Sequence, residues 1–94
     1  MSERASTVLV VDADPATAAT VLAALPSGLH RVLAVADAHQ ALATLGAQRV
    51  DVLLSELVLP EESGLHLLVE ARRLHPQVAR IAAKAEGLGA LLVG

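Results

Sequence analysis

An apolar run that ends in a carboxylate and then breaks into a turn constrains the fold of this chain more than any other feature. The run, Val-Asp-Val-Leu-Leu-Ser-Glu, covers residues 50–56, and Pro60 and Gly64 follow it. A strand that is covered by helices on both faces is continuously apolar, with no alternation of polar residues. Ligands of open α/β sheets gather at the carboxyl ends of such strands. We therefore expect a buried parallel strand that presents Glu56 at its carboxyl end.

Three other apolar segments alternate with helical segments. Strands are predicted over residues 7–11, 31–35 and 78–83, and helices over 16–25, 38–47 and 64–74. Asp14 before Pro15, Asp37 and Ser63 are suited to cap the three helices, because their side-chain oxygens can accept a hydrogen bond from a free backbone N–H. In the third helix the predicted apolar stripe, with a polar edge, is Leu65, Leu68, Val69 and Arg72.

This alternation predicts an α/β fold. Strands joined by helices form right-handed βαβ units, and short connections favour a parallel sheet in the order 2-1-3-4 with helices on both faces. The length of 94 residues fits one domain. Residues 85–94 fit either a short helix or a further strand, and the sequence does not decide between them.

Composition excludes several classes of function. The chain has no cysteine, no aromatic residue and a net charge of −3. Disulfides, thiolate chemistry and base-stacking platforms are therefore excluded, and nucleic-acid binding by this chain alone is not expected. No apolar run approaches the length of a membrane span, and no export signal is present, so the expected location is the cytoplasm without membrane association.

The order and spacing of three motifs resemble the receiver domains of bacterial response regulators. These motifs are the Val-Val-Asp-Ala-Asp-Pro corner at 10–15, the block at 51–64, and Pro76 followed by an apolar strand with Ala85 at its end. The resemblance covers residues 6–86 of a single domain, 1–94, and leaves 87–94 uncertain. It implies a flavodoxin-like, receiver-type sheet whose fifth βα unit is missing or vestigial, as in a C-terminally truncated receiver.

The same resemblance locates a site and shows how it has changed. In the family, an acidic pair holds Mg²⁺ beside a phospho-acceptor aspartate, and a threonine or serine ends the fourth strand. Here Ala13 replaces the second acidic residue, Glu56 stands at the acceptor position and Lys84 at the hydroxyl position. Asp12 and Asp14 remain as an acidic pocket.

These changes imply loss of the family's chemistry. Glutamate carries its carboxylate one methylene further out than aspartate, away from the position needed for in-line attack on a phosphodonor. Mg²⁺ requires near-octahedral oxygen ligands, and only Asp12 and Glu56 could hold it weakly. We expect no catalytic residue, no enzyme activity and no cofactor.

A compensating ion pair is one hypothesis for the altered pocket. Glu56 and Lys84 would end adjacent parallel strands, ~5 Å apart. Their pairing would replace contacts of an aspartyl phosphate and fix one conformation. The alternative is that Lys84 points to water, since an exposed ion pair contributes only ~0–1 kcal/mol.

The resulting functional prediction is a phosphorylation-independent pseudo-receiver that acts as an interaction or dimerisation module in two-component signalling. Its partner would be a second copy or the remainder of a larger regulator. One alternative is an atypical receiver that a histidine kinase still phosphorylates, at Asp51, Asp12 or Glu56, and that controls a fused output domain. Another is a small nucleotide-binding protein or enzyme. The four histidines fall on separate elements, which does not favour a metal site.

Overall fold

A computed structural model describes residues 5–25, 28–60, 62–83 and 90–93. The strands are β1 (Ser6–Val11), β2 (His30–Val35), β3 (Val52–Glu56), β4 (Val58–Leu59), β5 (Glu62–Ser63), β6 (Ala79–Ala83) and β7 (Ala90–Val93). The helices are α1 (Pro15–Ala24), α2 (Ala38–Ala47) and α3 (Gly64–Leu74). The predicted strands and helices are all present, with ends that differ by two residues at most.

The main sheet has five strands in the order β2-β1-β3-β6-β7. β1 pairs in parallel with β2 and β3, and β3 pairs in parallel with β6. Since β6 is the fourth parallel strand along the chain, the predicted order 2-1-3-4 and the flavodoxin-like fold class are confirmed.

Three polar side chains begin the helices as predicted. Asp14 Oδ1 accepts from the Ala16 N–H at 2.9 Å, and Asp37 Oδ1 accepts from the Gln40 N–H at 2.8 Å. Ser63 caps α3 through its hydroxyl, and Pro15 occupies the start of α1. Each cap satisfies an N–H group that has no partner within its own helix.

The core lies on the face of the sheet that α2 and α3 cover. Its fully buried members include Leu9 and Leu53 from the sheet and Leu67 and Leu68 from α3. The predicted apolar stripe of α3 was therefore partly wrong. Leu65 and Val69 are 53% and 56% exposed, because Gly64, Leu67, Leu68 and Ala71 form the buried face.

The opposite face is less completely covered. The strand order reverses at β1, so right-handed crossovers put α1 on the opposite face from α2 and α3. α1 lies against β2 and has no buried residue. Val8 and Val10 are buried on this face, whereas Val52, Leu54 and Ile81 are half-buried.

Two strand pairings, both antiparallel, were not predicted. β4 and β5 form a small antiparallel ladder in the loop between β3 and α3. β7 pairs antiparallel with β6. Of the two structures considered for the end of the chain, a short helix or a further strand, Ala90–Val93 forms the strand. Only six residues separate β6 from β7, fewer than the dozen or so that a parallel crossover needs. Residues 84–89 and 94 lie outside the described part of the chain.

None of the described helices combines the length and the apolarity that a bilayer-spanning helix requires.

Candidate functional site

Asp12 and Glu56 lie at the carboxyl edge of the sheet. The register between β1 and β3 pairs Val11 with Ser55, so the next residues, Asp12 and Glu56, are level on neighbouring strands. β3 delivers Glu56 as its last residue, and Asp12 follows β1 directly. The structure thus brings two of the predicted pocket residues to one edge of the sheet, because each follows or ends an apolar strand and the two strands are parallel neighbours.

Both carboxylate oxygens of Asp12 already accept hydrogen bonds from the protein. Oδ1 accepts from the Asp14 N–H at 2.8 Å, and Oδ2 accepts from the Thr17 hydroxyl at 2.7 Å. Thr17 lies in the first turns of α1. Asp12 therefore ties the end of β1 to the start of α1.

Sequence reasoning missed Thr17 as a member of this site. The available signal was its position three residues after the helix cap Asp14, which points the first turn of α1 back toward the end of β1. Asp14 itself caps α1 and contributes its backbone N–H, not its carboxylate, to Asp12.

Glu56 is held inside the protein. It is 6% exposed, and its Oε1 accepts from the Leu57 N–H at 3.0 Å. The same N–H also donates to the Ala83 carbonyl at 3.2 Å, which couples Glu56 to the end of β6. The Ser55 hydroxyl, fully buried, donates to the Glu56 carbonyl at 2.9 Å.

Gly64 closes the loop after Glu56. Its N–H donates to the Leu57 carbonyl at 2.8 Å, and the Glu56 backbone packs against its Cα. A Cβ at Gly64 would collide with the Glu56 carbonyl group, so only glycine allows α3 to begin this close to β3.

The outcome differs for two other predicted residues. Lys84 is outside the described residues, so the Glu56–Lys84 pair stays a prediction. Asp51 precedes β3, five residues before Glu56 and ~16 Å away along the strand. Its Oδ2 accepts from the Thr7 N–H at 2.8 Å at the amino edge of the sheet.

The described residues do not fit a Mg²⁺ site of the family type. Ala13 offers no side-chain oxygen, and the oxygens of Asp12 are engaged by Asp14 and Thr17. Within residues 5–25, 28–60 and 62–83, no group of three or more candidate ligands comes together. Mg²⁺ would therefore find one carboxylate at the end of β1, that of Asp12, and this carboxylate already accepts two hydrogen bonds.

Comparison with known families identifies the fold. A family model described as the response regulator receiver domain matches residues 8–88. The chain belongs to this family. Receiver domains are signalling modules of two-component systems.

Two curated relatives are transcriptional regulators. The chain is 37% identical over 81 residues to the hydrogenase transcriptional regulatory protein HoxA of Cupriavidus necator. The matched segment covers 86% of this chain and 17% of HoxA. The chain is also 37% identical over 70 residues to the probable transcriptional regulatory protein TcrX of Mycobacterium tuberculosis, covering 74% of this chain and 30% of TcrX. The chain thus spans less than a third of each of these relatives.

Solved structures give the same fold. The signal receiver domain of an HD domain-containing protein from Pseudomonas fluorescens superposes with a TM-score of 0.80 at 26% identity, covering 88% of this chain and 61% of that chain. A CheY-like receiver domain protein from Methanospirillum hungatei superposes with a TM-score of 0.79 at 26% identity, covering 86% of this chain and 65% of that chain.

Proposed function

We propose that this receiver is a phosphorylation-independent pseudo-receiver, an interaction module that keeps the receiver fold without the phosphoryl switch. The observation that carries the proposal is that the carboxylates of Asp12 and Glu56 already accept hydrogen bonds from their own chain. Glu56 is buried and bonded to its own chain, and both oxygens of Asp12 accept hydrogen bonds from α1 or its cap. Engagement by the chain's own donors, together with the burial of Glu56, disfavours both carboxylates as nucleophiles or metal ligands.

Intact-mass measurement after incubation with acetyl phosphate and Mg²⁺ tests this proposal. We expect no gain of a phosphoryl group, because transfer requires an accessible carboxylate in line with the donor and a metal to neutralise the phosphate charge. The matched control is the double variant A13D/E56D, which restores both acidic positions; phosphorylation of this variant would show that the assay works on this fold. Phosphorylation of the unchanged chain overturns the proposal.

A second candidate is an atypical receiver that accepts phosphate from a histidine kinase and controls a fused output domain. The match to short segments of two transcriptional regulators favours it. The same mass experiment separates the two candidates. Mapping of any modified peptide would then distinguish Glu56 from Asp12 or Asp51.

The proposal includes a pair between Glu56 and Lys84 that locks one conformation. A double-mutant cycle with E56Q, K84M and both changes measures the coupling in free energy of unfolding. We expect a coupling of about 0.5 kcal/mol or more, since Glu56 is buried and its partner would be partly desolvated. Additive effects of the two substitutions contradict the pair and leave the phosphorylation test unaffected.

A further inference from the structure

A cavity lies at the amino edge of the sheet, at the opposite end of the strands from Asp12 and Glu56. Its volume is about 320 Å³, and it is partly open to solvent. Its lining comes from the start of β1, from β2 and from the segment after α2, namely Ala5, Thr7, Arg31, Gln48 and Arg49. The receiver chemistry described above does not involve these residues.

The two arginines belong to segments that flank β1 on its two sides. The register of β1 and β2 pairs Thr7 with Arg31. The segment after α2 is tied to β1 by two hydrogen bonds between Thr7 and Asp51, one from each backbone N–H, at 2.8 and 2.9 Å. Arg49, two residues before Asp51, is therefore anchored next to the same strand.

The lining carries more positive than negative charge. Arg31 forms no ion pair or side-chain hydrogen bond with the described residues, and Arg49 makes one loose ion pair, Nε to Asp51 Oδ1 at 3.5 Å, with its side chain 73% exposed. The other oxygen of Asp51 accepts from the Thr7 N–H. The lining thus holds two guanidinium groups, each of which has five N–H donors, and Asp51 pairs with one of them.

A neutral donor completes the lining. Thr7 is only 4% exposed, and among the described residues its hydroxyl takes part in no hydrogen bond, although Thr7 lines the cavity. Guanidinium groups bind carboxylates and phosphates through paired N–H donors, and a hydroxyl can add one more hydrogen bond. The C-terminal end of α2 adds partial negative charge, which Arg49 offsets.

We propose that this cavity binds a small, doubly charged oxyanion between Arg31 and Arg49, with the Thr7 hydroxyl as an additional donor. A phosphate group and a dicarboxylate share this chemistry. The site is independent of the proposed loss of phosphorylation, because it lies at the other edge of the sheet. It would give this receiver a ligand-binding site that does not require the altered acidic pocket.

Titration followed by ¹H–¹⁵N NMR tests the site, with inorganic phosphate and succinate as separate probes and KCl at matched ionic strength as the reference. We expect saturable shifts at the Thr7 and Arg31 amides and at the Arg49 side-chain Nε, absent with KCl. Binding of phosphate but not succinate would identify a phosphoryl ligand, and the reverse a dicarboxylate; either result supports the site.

Variants decide whether the two arginines carry the binding. R31Q and R49Q should each weaken the dissociation constant about tenfold or more, the effect of losing one charge-assisted hydrogen bond. R72Q is the matched control, since Arg72 is exposed on α3 and its loss changes the net charge equally. Both cavity arginines are exposed, so their variants should fold, which the same spectra show. Linear shifts identical to those in KCl, or unchanged affinity in both R31Q and R49Q, overturn the proposal.

Discussion

At the scale of single residues, Gly64 occupies a position where the structure leaves no room for a side chain. Its N–H is bonded to Leu57, and the space where a Cβ would stand is filled by the backbone of Glu56 and Leu57. Backbone atoms in a strand end cannot move aside as a flexible side chain can. The close approach of α3 to β3 thus depends on the absence of one carbon atom.

The substitution G64A is expected to reduce the free energy of unfolding by about 1–3 kcal/mol or more, the cost of overpacking a buried site. Urea denaturation measures it. G46A is the control, because Gly46 is exposed in α2 and an added Cβ there meets nothing within 4 Å. Alanine should stabilise that helix by about 0.5–1 kcal/mol. Equal effects of the two substitutions would contradict the close approach.

Arg80 carries a charged side chain in a buried position. It is 6% exposed in β6, its Nη1 donates to the Val78 carbonyl at 2.7 Å, and its buried Nε has no partner. No carboxylate in the described ranges pairs with it. A buried guanidinium without a counter-ion loses hydration that one carbonyl cannot replace.

We therefore expect R80M to raise the free energy of unfolding by about 1 kcal/mol or more, since methionine has a similar linear shape and no charge to desolvate. Thermal and urea unfolding both report the change. R72M, on the exposed face of α3, removes the same charge and should stay within about 0.5 kcal/mol of the unchanged chain. A loss of stability in R80M would show that the buried charge is compensated.

Residue patterns allowed some of these features to be predicted. The three helix caps follow from Asp, Asp and Ser before helical segments, and they are present at Asp14, Asp37 and Ser63. The pairing of Asp12 with Thr17 was missed: the position of Thr17 after the cap Asp14 was a signal, but the bond also depends on the direction in which α1 leaves the sheet. Burial of Arg80 contradicts the usual preference of arginine for the surface.

At the scale of elements, the three helices differ in how firmly they are attached. α1 buries none of its residues, and the side-chain bonds that hold its start, through Asp14 and Thr17, lie in its first turns. α3 buries four residues against the sheet. Burial of apolar side chains, more than helix propensity, sets the free energy of opening a helix in a protein.

Native-state hydrogen exchange should therefore be fastest in α1. We expect amides in the second half of α1 to exchange at least tenfold faster than those of α3, which corresponds to a difference of about 1.4 kcal/mol in opening free energy. T17V, which removes the hydroxyl bonded to Asp12, should increase exchange further in α1 alone. Equal protection of α1 and α3 would indicate that α1 has a stable cover.

Elements with strong local patterns were predicted well, and those that depend on tertiary context were not. α2 and α3 match their predicted bounds because caps and apolar spacing mark them. The exposed side of α3 could not be identified from spacing, since Leu65 and Val69 fit an apolar stripe as well as Leu67 and Ala71 do. β4 and β5, two residues each, are too short for any periodicity.

At the scale of the whole molecule, coverage of the sheet is uneven. One face carries the core under α2 and α3, whereas on the other α1 lies against β2. On that second face, away from α1, the described side chains Val52, Leu54 and Ile81 are half-buried and Ala79 is exposed. All four are apolar, so they are suited to pairing with the same residues of a second copy related by a two-fold axis.

We expect self-association through this face, with a second copy as the partner of the proposed interaction module. Light scattering after size exclusion, across a dilution series, should show the mass of a dimer that dissociates at low concentration. A79K places a charge on the face at an exposed position and should weaken the dimer about tenfold or more, because two unpaired charges would be buried around the two-fold axis. V69K adds the same charge on α3, on the other face of the sheet, and should leave the dimer intact. A monomer at every concentration would exclude a second copy as the partner, and a dimer disrupted by V69K but not by A79K would move the interface to α3.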